Sequence, residues 1–161
     1  MSEFKNTNGF KNMNGVIIID SIENYSQQIL KGQLILTPHK QYITENELNM
    51  TAVAYSSVLK CFIKKGGEII STKTKYRSML VDIYKLMPPQ KILQTSTFNF
   101  KLTEEDGENG YHWCKDIHMS FQNKSATGTL KEIINMVKVN NFTIDLTIKL
   151  ETGRIIHFKM D

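Results

Sequence analysis

The last 20 residues of the chain constrain its fold most, because apolar and polar side chains alternate there almost without interruption. The apolar members of the first run are Phe142, Ile144, Leu146, Ile148 and Leu150. A period of two residues places these side chains on one face of a β-strand and the polar ones on the other. A turn at 152–154 and a second alternating run up to residue 160 predict an antiparallel hairpin with one buried face. Pairing Leu150 with Ile156 keeps both apolar sets on that face.

The strongest helix signal lies near residue 45. Thr44 and Glu47 have the spacing of a capping box, in which each side chain bonds the backbone amide of the other residue. Apolar residues then recur every three or four positions from Leu48 to Phe62, as on one face of a helix. Two glycines at 66–67 can end such a helix in the left-handed conformation. The pattern therefore predicts one helix of about 20 residues.

Shorter patterns complete the prediction of an α+β fold. Apolar residues at helical spacing predict helices over 76–87 and 126–138. Alternating or β-branched segments predict strands at 16–19, 33–36, 68–72, 95–102 and 111–121. Residues 16–161 are expected to form a single domain, with a mixed or largely antiparallel sheet and about three helices packed on it. Its C-terminal strand–strand–helix–strand–strand unit ends in the β-hairpin, and residues 1–15, which are rich in Asn and Gly, are predicted to be a flexible tail.

Positive charge concentrates in one stretch of the sequence. The whole chain has a net charge of +4, yet residues 60–91 hold eight Lys or Arg against two carboxylates, a net charge of +6. The remainder of the chain is therefore net −2. Composition weakens this signal, because 18 Lys, 19 Ile and 13 Asn with only 2 Arg are typical of an AT-rich genome. Arg, the side chain best suited to bidentate phosphate recognition, is scarce, so part of the basicity can reflect coding bias.

The start of the second predicted helix carries three of these cations. Lys73, Lys75 and Arg77 lie where the positive end of a helix dipole disfavours cations, and a bound anion would remove that cost. Thr72 and Thr74 add hydroxyl donors for phosphate. The sequence therefore predicts a basic surface that binds a polyanion, with DNA or RNA, read without strong sequence preference, as the expected ligand. The predicted polyanion-binding residues are Lys64, Lys65, Thr72, Lys73, Thr74, Lys75, Arg77 and Lys85.

A second polar group lies in the strand predicted at 111–121. His112, Cys114, Asp116 and His118 would share one face of that strand. These residue types can bind zinc, but His112 and His118 would lie about 20 Å apart on a straight strand, so no metal site is predicted. A Cys–His nucleophile pair would make the chain a small enzyme, yet no nucleophile turn or oxyanion loop accompanies Cys114. A polar outward face is the favoured interpretation.

These patterns favour a small non-enzymatic binding domain without a cofactor. The alternative is a protein–protein adaptor or assembly component, which would use a sheet edge, a helix face or Phe4 and Phe10 of the tail. No apolar run is long enough to span a bilayer, and no signal peptide is recognisable. The 2 cysteines fit a reducing compartment, so a cytoplasmic protein that does not contact membranes is expected.

Overall fold

The structure, a computed structural model, describes residues 41–161 throughout and, before them, the backbone of four short strands. These are β1 (Phe10–Met13), β2 (Val16–Ile19), β3 (Tyr25–Leu30) and β4 (Gln33–Pro38). β1 pairs with β2 and β3 pairs with β4, both antiparallel. Chain contacts divide the molecule into two compact units, residues 1–41 and 42–161. The tail expected over 1–15 lies largely outside the described residues, so that domain boundary stays a prediction.

The second unit confirms the predicted α+β class. Five strands form a mixed sheet in the order β5-β12-β11-β6-β7, in which β5 runs parallel to β12 and the other pairs are antiparallel. Three further strands form an antiparallel sheet in the order β8-β10-β9. The elements are β5 (Tyr42–Ile43), α1 (Glu45–Met50), β6 (Ser57–Lys65), β7 (Glu68–Ser71), α2 (Tyr76–Tyr84), α3 (Pro89–Thr95), β8 (Phe100–Lys101), β9 (Tyr111–Cys114), β10 (Met119–Gln122), α4 (Ala126–Val139), β11 (Thr143–Lys149) and β12 (Ile155–Met160).

One hydrophobic cluster joins the helices to one face of the five-stranded sheet, here called the inner face. The two long helices bury the residues that their sequence periodicity selects, as predicted for 76–87 and 126–138. Each large aliphatic side chain that is removed from water contributes about 1.5–3 kcal/mol, so this cluster is the main source of stability. Its fully buried helical members are Met79, Leu80, Ile83, Tyr84, Ile133, Met136 and Val137.

The long helix predicted from residue 45 to residue 62 is wrong beyond its first turns. The capping box is present, with the Thr44 amide donating to Glu47 Oε2 at 2.6 Å and the Glu47 amide donating to Thr44 Oγ1 at 3.2 Å. The helix nevertheless ends at Met50, and the strand β6 begins at Ser57. The helix cap was therefore predicted correctly, but not the length of the helix that follows it.

A β-bulge in β6 explains the misprediction. Thr147 of β11 pairs with Lys60, and the next residue, Ile148, pairs with Val58, which leaves Leu59 without a partner. The buried residues of β6 therefore follow a step of three residues and then a step of two, which breaks the alternation expected of a strand, whereas the helical spacing was based on Leu59 and Phe62, which are not buried. The buried residues of β6 are Val58, Cys61 and Ile63.

The glycines at 66–67 form a turn between two strands and do not end a helix. Gly66 and Gly67 have φ angles of +53° and +87°, and Lys65 pairs with Glu68 on either side of them. A two-residue hairpin turn with positive φ at both positions suits glycine, because any side chain there would be strained. The Gly-Gly pair thus joins β6 to β7.

The C-terminal hairpin has the predicted faces but not the predicted register. Ile148 pairs with Ile156, so Leu150 lies in the turn, where its amide donates to the Arg154 carbonyl at 2.8 Å. A register shift of two residues preserves which side chains face the core, since strand faces alternate with a period of two. The strand expected at 95–102 shortens to β8, because the chain through Thr95 forms α3, with Pro89 in its first turn.

A buried carboxylate ties α4 to the segment that follows α3. Glu132 is 1% exposed and accepts hydrogen bonds from the Tyr84 hydroxyl at 3.0 Å and from the Thr97 amide at 3.1 Å. The hydroxyls of Ser96 and Thr97 also donate to it. Burial raises the pKa of Tyr84, so that phenol remains a donor. A buried carboxylate with this many neutral donors is satisfied without a counter-ion.

Candidate functional site

The structure separates the predicted polyanion-binding residues into four places. Lys64 lies in β6, and Lys65 lies at its end beside the Gly-Gly turn. Residues 72–75 form the exposed connection between β7 and α2. Arg77 lies in the first turn of α2, and Lys85 is at the opposite end of that helix. The expectation that a helix begins directly after the Thr-Lys-Thr-Lys segment is confirmed.

The connection at 72–75 leaves the first turn of α2 open to solvent. Ser71, at the end of β7, donates its hydroxyl to the Asp82 carboxylate at 2.8 Å, and its oxygen accepts from the Lys73 amide at 3.3 Å. Lys75 occupies the N-cap position without a side-chain capping bond, and the first turn contains no acidic residue. The exposed lysines of this connection therefore lie near the positive end of a helix dipole that no carboxylate side chain of its first turn offsets.

Arg77 points toward the protein interior. Its guanidinium lies 3.7 Å from the ring centroid of Phe121, a fully buried residue of β10. Burial lowers the pKa of this guanidinium below its usual range. A cation held over an aromatic ring in a partly desolvated place contributes about 1 kcal/mol. Arg77 therefore acts as a packing contact between α2 and the three-stranded sheet.

The side of the five-stranded sheet opposite the core, here called the outer face, carries lysines around an aromatic ring. Lys60, Phe62 and Lys64 project there from β6, alternating with the buried residues Cys61 and Ile63. The ammonium groups of Lys60 and Lys64 lie 5.5 and 5.9 Å from the Phe62 ring centroid. Strand geometry separates the two lysines by about 13 Å along the backbone, with the ring between them.

Neighbouring strands extend the outer face beside this ring. Asp145 of β11 pairs with Phe62, and Lys159 of β12 pairs in turn with Asp145. Thr143 of β11 lies opposite Lys64. Together these five side chains line a shallow cleft of about 210 Å³ on the outer face. Asp161 also lines it, so the cleft combines an aromatic ring, two carboxylates, a hydroxyl and two ammonium groups.

Toward β5 the outer face becomes more aromatic. Thr147 of β11 pairs with both Lys60 and His157, and its hydroxyl lies 3.1 Å from His157 Nδ1. The rings of His157 and Tyr42 meet edge to face with centroids 6.3 Å apart. This end of the face is therefore held together by side-chain contacts.

Most lysines of the outer face and of the α2 start lack a carboxylate partner within residues 41–161. The ion pairs found there join Lys101 to Glu105, Lys138 to Glu45 and Lys159 to Asp161, at 3.3, 2.6 and 3.5 Å. The Asp145 carboxylate likewise forms neither a hydrogen bond nor an ion pair with any described residue. The lysines without an ion pair include Lys60, Lys64, Lys65, Lys73, Lys75 and Lys85.

The strand predicted at 111–121 is wrong, because the chain reverses direction in the middle of it. Residues 115–118 form a turn, and β9 and β10 pair antiparallel on either side. His118 lies in this turn with a φ of +52°, a left-handed conformation that an extended strand does not contain. The Ile117 amide donates to the Cys114 carbonyl at 3.3 Å and helps to close the turn.

This turn separates the candidate nucleophile and metal-ligating residues. Cys114 is 9% exposed and pairs with Met119, whereas His112 and Asp116 are exposed. The His118 ring packs edge-on against Trp113 with centroids 6.3 Å apart. No hydrogen bond joins Cys114 to a histidine of the described region, and no three His, Cys, Asp or Glu side chains there are placed to hold a metal ion. The geometry therefore gives the enzyme hypothesis no support.

Sequence reasoning missed the outer-face residues Phe62, Asp145 and Lys159. Phe62 was assigned to the core face of a helix, because the bulge at Leu59 disguised the alternation of β6. The alternation of apolar and polar residues in β11 did indicate a solvent-exposed face that includes Asp145. The sequence gives no sign that β6 lies beside β11, and only that pairing brings the ring and the carboxylate together.

Comparison with family models, with curated proteins and with solved structures finds no match for this chain. No helix among the described residues has both the length and the apolar character needed to cross a membrane. A functional proposal therefore depends on the geometry of residues 42–161 alone.

Proposed function

We propose that this protein is a non-enzymatic, intracellular domain that binds nucleic acid through its phosphates, without strong sequence preference. The binding surface combines Lys60 and Lys64 of the outer face, Lys65 at the Gly-Gly turn, and the connection at 72–75. The observation that carries the proposal is that these lysines have no carboxylate partner among the described residues. An intracellular location is supported by Cys61 and Cys114, which are both free and buried.

Lysines without ion pairs suit a ligand that carries many phosphates. Each lysine that neutralises a phosphate releases counterions, and this release supplies most of the affinity in sequence-independent binding. Lysine acts as a point charge and does not read bases bidentately as arginine does, which fits recognition of the backbone. Five of the eight cations within 60–91 would then belong to one ligand surface, namely Lys60, Lys64, Lys65, Lys73 and Lys75.

The remaining residues of the predicted set have different roles in this proposal. Thr72 and Thr74 are exposed beside Lys73 and Lys75, so their hydroxyls can donate to the same phosphates. Lys85, at the far end of α2, would add long-range attraction only. Arg77 is left out of the surface, because its guanidinium packs on the Phe121 ring.

Fluorescence anisotropy with labelled single-stranded DNA, RNA and duplex DNA at several salt concentrations tests this proposal. Wild-type binding is expected to weaken steeply with salt. The double variants Lys60→Gln/Lys64→Gln and Lys73→Gln/Lys75→Gln should each bind more weakly than the wild type. Each should also lower the magnitude of the slope d log K/d log[salt] on single strands by about 1.4, because each lost phosphate contact removes about 0.7 from it.

A matched control removes the same charge from a different place. Lys115 and Lys124 are exposed in the turn after β9 and before α4, so Lys115→Gln/Lys124→Gln changes the net charge equally. The control is expected to bind almost as well as the wild type. No binding at low salt, or an equal loss in the control, would contradict the proposal. Salt-insensitive binding of a protein partner would then favour the adaptor function.

A further inference from the structure

The cleft beside Phe62 contains a group that phosphate binding does not explain. Asp145 places a carboxylate in the midst of lysines on the proposed phosphate-binding surface. Its neighbour on β12, Lys159, forms its ion pair with Asp161 at 3.5 Å and not with Asp145. Asp145 thus has no hydrogen bond or ion pair with any residue that the structure describes. A carboxylate at this position repels phosphate. A ligand that binds beside it must therefore offer the carboxylate a hydrogen-bond donor.

A nucleobase carries such a donor together with a flat face. Cytosine, adenine and guanine have exocyclic amino groups that donate to carboxylates, whereas thymine and uracil present carbonyl acceptors at the corresponding position. Every base also has a π-face that stacks on aromatic side chains. Phe62 and Asp145 are paired neighbours on adjacent strands, so a base stacked on the ring can bring its edge to the carboxylate.

We propose that the cleft lined by Phe62, Asp145 and Thr143 binds an unpaired base that carries an exocyclic amino group. The base stacks on Phe62, its amino group donates to Asp145, and Lys60 and Lys64 contact the phosphates on either side. The ligand is therefore a single strand, because bases in a duplex are stacked and paired and cannot lie flat on the sheet. This inference rests on the proposed function and adds the form of nucleic acid and the class of base.

The lysine positions agree with this arrangement. The Lys60 and Lys64 ammonium groups lie 5.5 and 5.9 Å from the Phe62 ring centroid and belong to residues two positions before and after it. Both ammonium groups lie over the ring, so a base that stacks on Phe62 displaces them toward the phosphates that flank it. Thr143, opposite Lys64 and at the rim of the cleft, offers a hydroxyl that can donate or accept.

Oligo-dC and oligo-dT of equal length, both single-stranded at neutral pH, test the base site by anisotropy. They carry the same backbone and differ in the donor that Asp145 would accept. The wild type is expected to prefer oligo-dC by about threefold or more. Phe62→Leu should weaken oligo-dC binding roughly tenfold through lost stacking, while Phe62→Trp should retain it. Circular dichroism checks that each variant is folded.

Asp145→Ala separates base recognition from charge. Removing a negative charge should strengthen binding of both oligonucleotides, but the preference for oligo-dC should fall to about one, because the acceptor is gone. The matched control is Asp116→Ala, which removes the same charge from the exposed β9–β10 turn and should keep the preference.

The outcomes distinguish the base site from the function on which it rests. The base site is overturned if binding depends on salt but is equally strong for oligo-dC and oligo-dT, and if Phe62→Leu does not weaken it. That result would leave the proposal of phosphate binding intact. A preference for duplex over single strands would also overturn the base site. If the wild type binds no nucleic acid at low salt, both proposals fail together.

Discussion

The two sides of the five-stranded sheet differ in whether their polar side chains have hydrogen-bond or ion-pair partners within the protein. On the core side, Glu132 accepts hydrogen bonds from Tyr84, Ser96 and Thr97, and Ser71 donates to Asp82. On the outer side, the Asp145 carboxylate and several lysines have no partner among the described residues. A buried polar group that loses its hydrogen-bond partner destabilises the fold. A polar group on the outer side is hydrated, so it needs no partner within the protein and remains available to a ligand.

This difference separates the groups that stabilise the fold from the groups to which we assign the proposed binding. The inner groups are enclosed and mutually satisfied, so changing them should alter the free energy of unfolding. On the outer face, Asp145, Lys60 and Lys64 are at least partly exposed and form no ion pair with a described residue, so changing them should alter ligand affinity and leave stability nearly constant. Three measurements test this division.

The largest effect is expected for Glu132→Ala. The buried Tyr84 hydroxyl and the part-buried donors of Ser96 and Thr97 would lose their acceptor and a cavity would form, so the free energy of unfolding should fall by about 3–5 kcal/mol. Asp145→Ala is the matched change on the outer side, and it should alter stability by less than about 0.5 kcal/mol. Urea unfolding followed by circular dichroism measures both. Equal losses in the two variants would end the distinction between the two sides.

An intermediate effect is expected at alkaline pH, from Cys61 on the inner face. Burial, with smaller contributions from Asp82 and Asp145, raises the pKa of this thiol from 9.0 to about 12. Below pH 9 the thiol is protonated in both the folded and unfolded states. As the pH rises from 9 toward 12, the unfolded chain releases the proton and the folded protein retains it, so stability falls. The loss should reach about 2 kcal/mol near pH 10.5.

The pH effect is measured by comparing the wild type with Cys61→Ala. Urea unfolding from about pH 8.5 to about pH 10.5 reports the slope of stability against pH for each protein. Other alkaline groups, such as the lysines, are the same in both, so the difference in slope belongs to Cys61. Parallel slopes would mean that the thiol titrates alike in the folded and unfolded states.

The smallest effect is expected for Arg77→Ala, which tests a residue that sequence reasoning placed on the binding surface. Loss of the guanidinium over Phe121 should lower stability by about 1 kcal/mol and leave nucleic-acid affinity nearly unchanged. Lys75→Ala, two residues earlier, should weaken nucleic-acid binding and leave stability nearly unchanged. If Arg77→Ala weakens binding as much as Lys75→Ala does, the guanidinium reaches the ligand and belongs to the binding surface.

Much of the fold was predictable where neighbouring residues in the sequence decide the structure. The apolar spacing of α2 and α4 and the alternation of β11 and β12 predicted elements that the structure contains. The capping box at Thr44 was also correct. The predicted extension of that helix to Phe62 failed, because Leu59 and Phe62 lie at helical spacing without being buried, and the bulge at Leu59 interrupts the alternation that would have indicated a strand. The Gly-Gly pair was the available signal for a strand hairpin.

Less of the candidate site was predictable. The sequence located the lysines and the helix start that follows them, and the structure places that helix start as predicted. Arg77 lies in the same segment, yet only the packed structure brings Phe121 of β10 under its guanidinium. The sequence predicted that His112 and Cys114 lie on the polar face of one long strand. The structure contains two short antiparallel strands there, so that single polar face does not exist.

Local sequence patterns were sufficient to predict the class of fold, the faces of the two long helices and of the last hairpin, and the stretch in which positive charge concentrates. The tertiary structure decided that residues 57–65 are a strand, that Phe62 faces outward, and that Asp145 lies beside it. The reason is physical. Helical spacing and caps reflect interactions over three or four residues, whereas strand pairing joins β6 to a segment about 80 positions later, which local patterns do not encode.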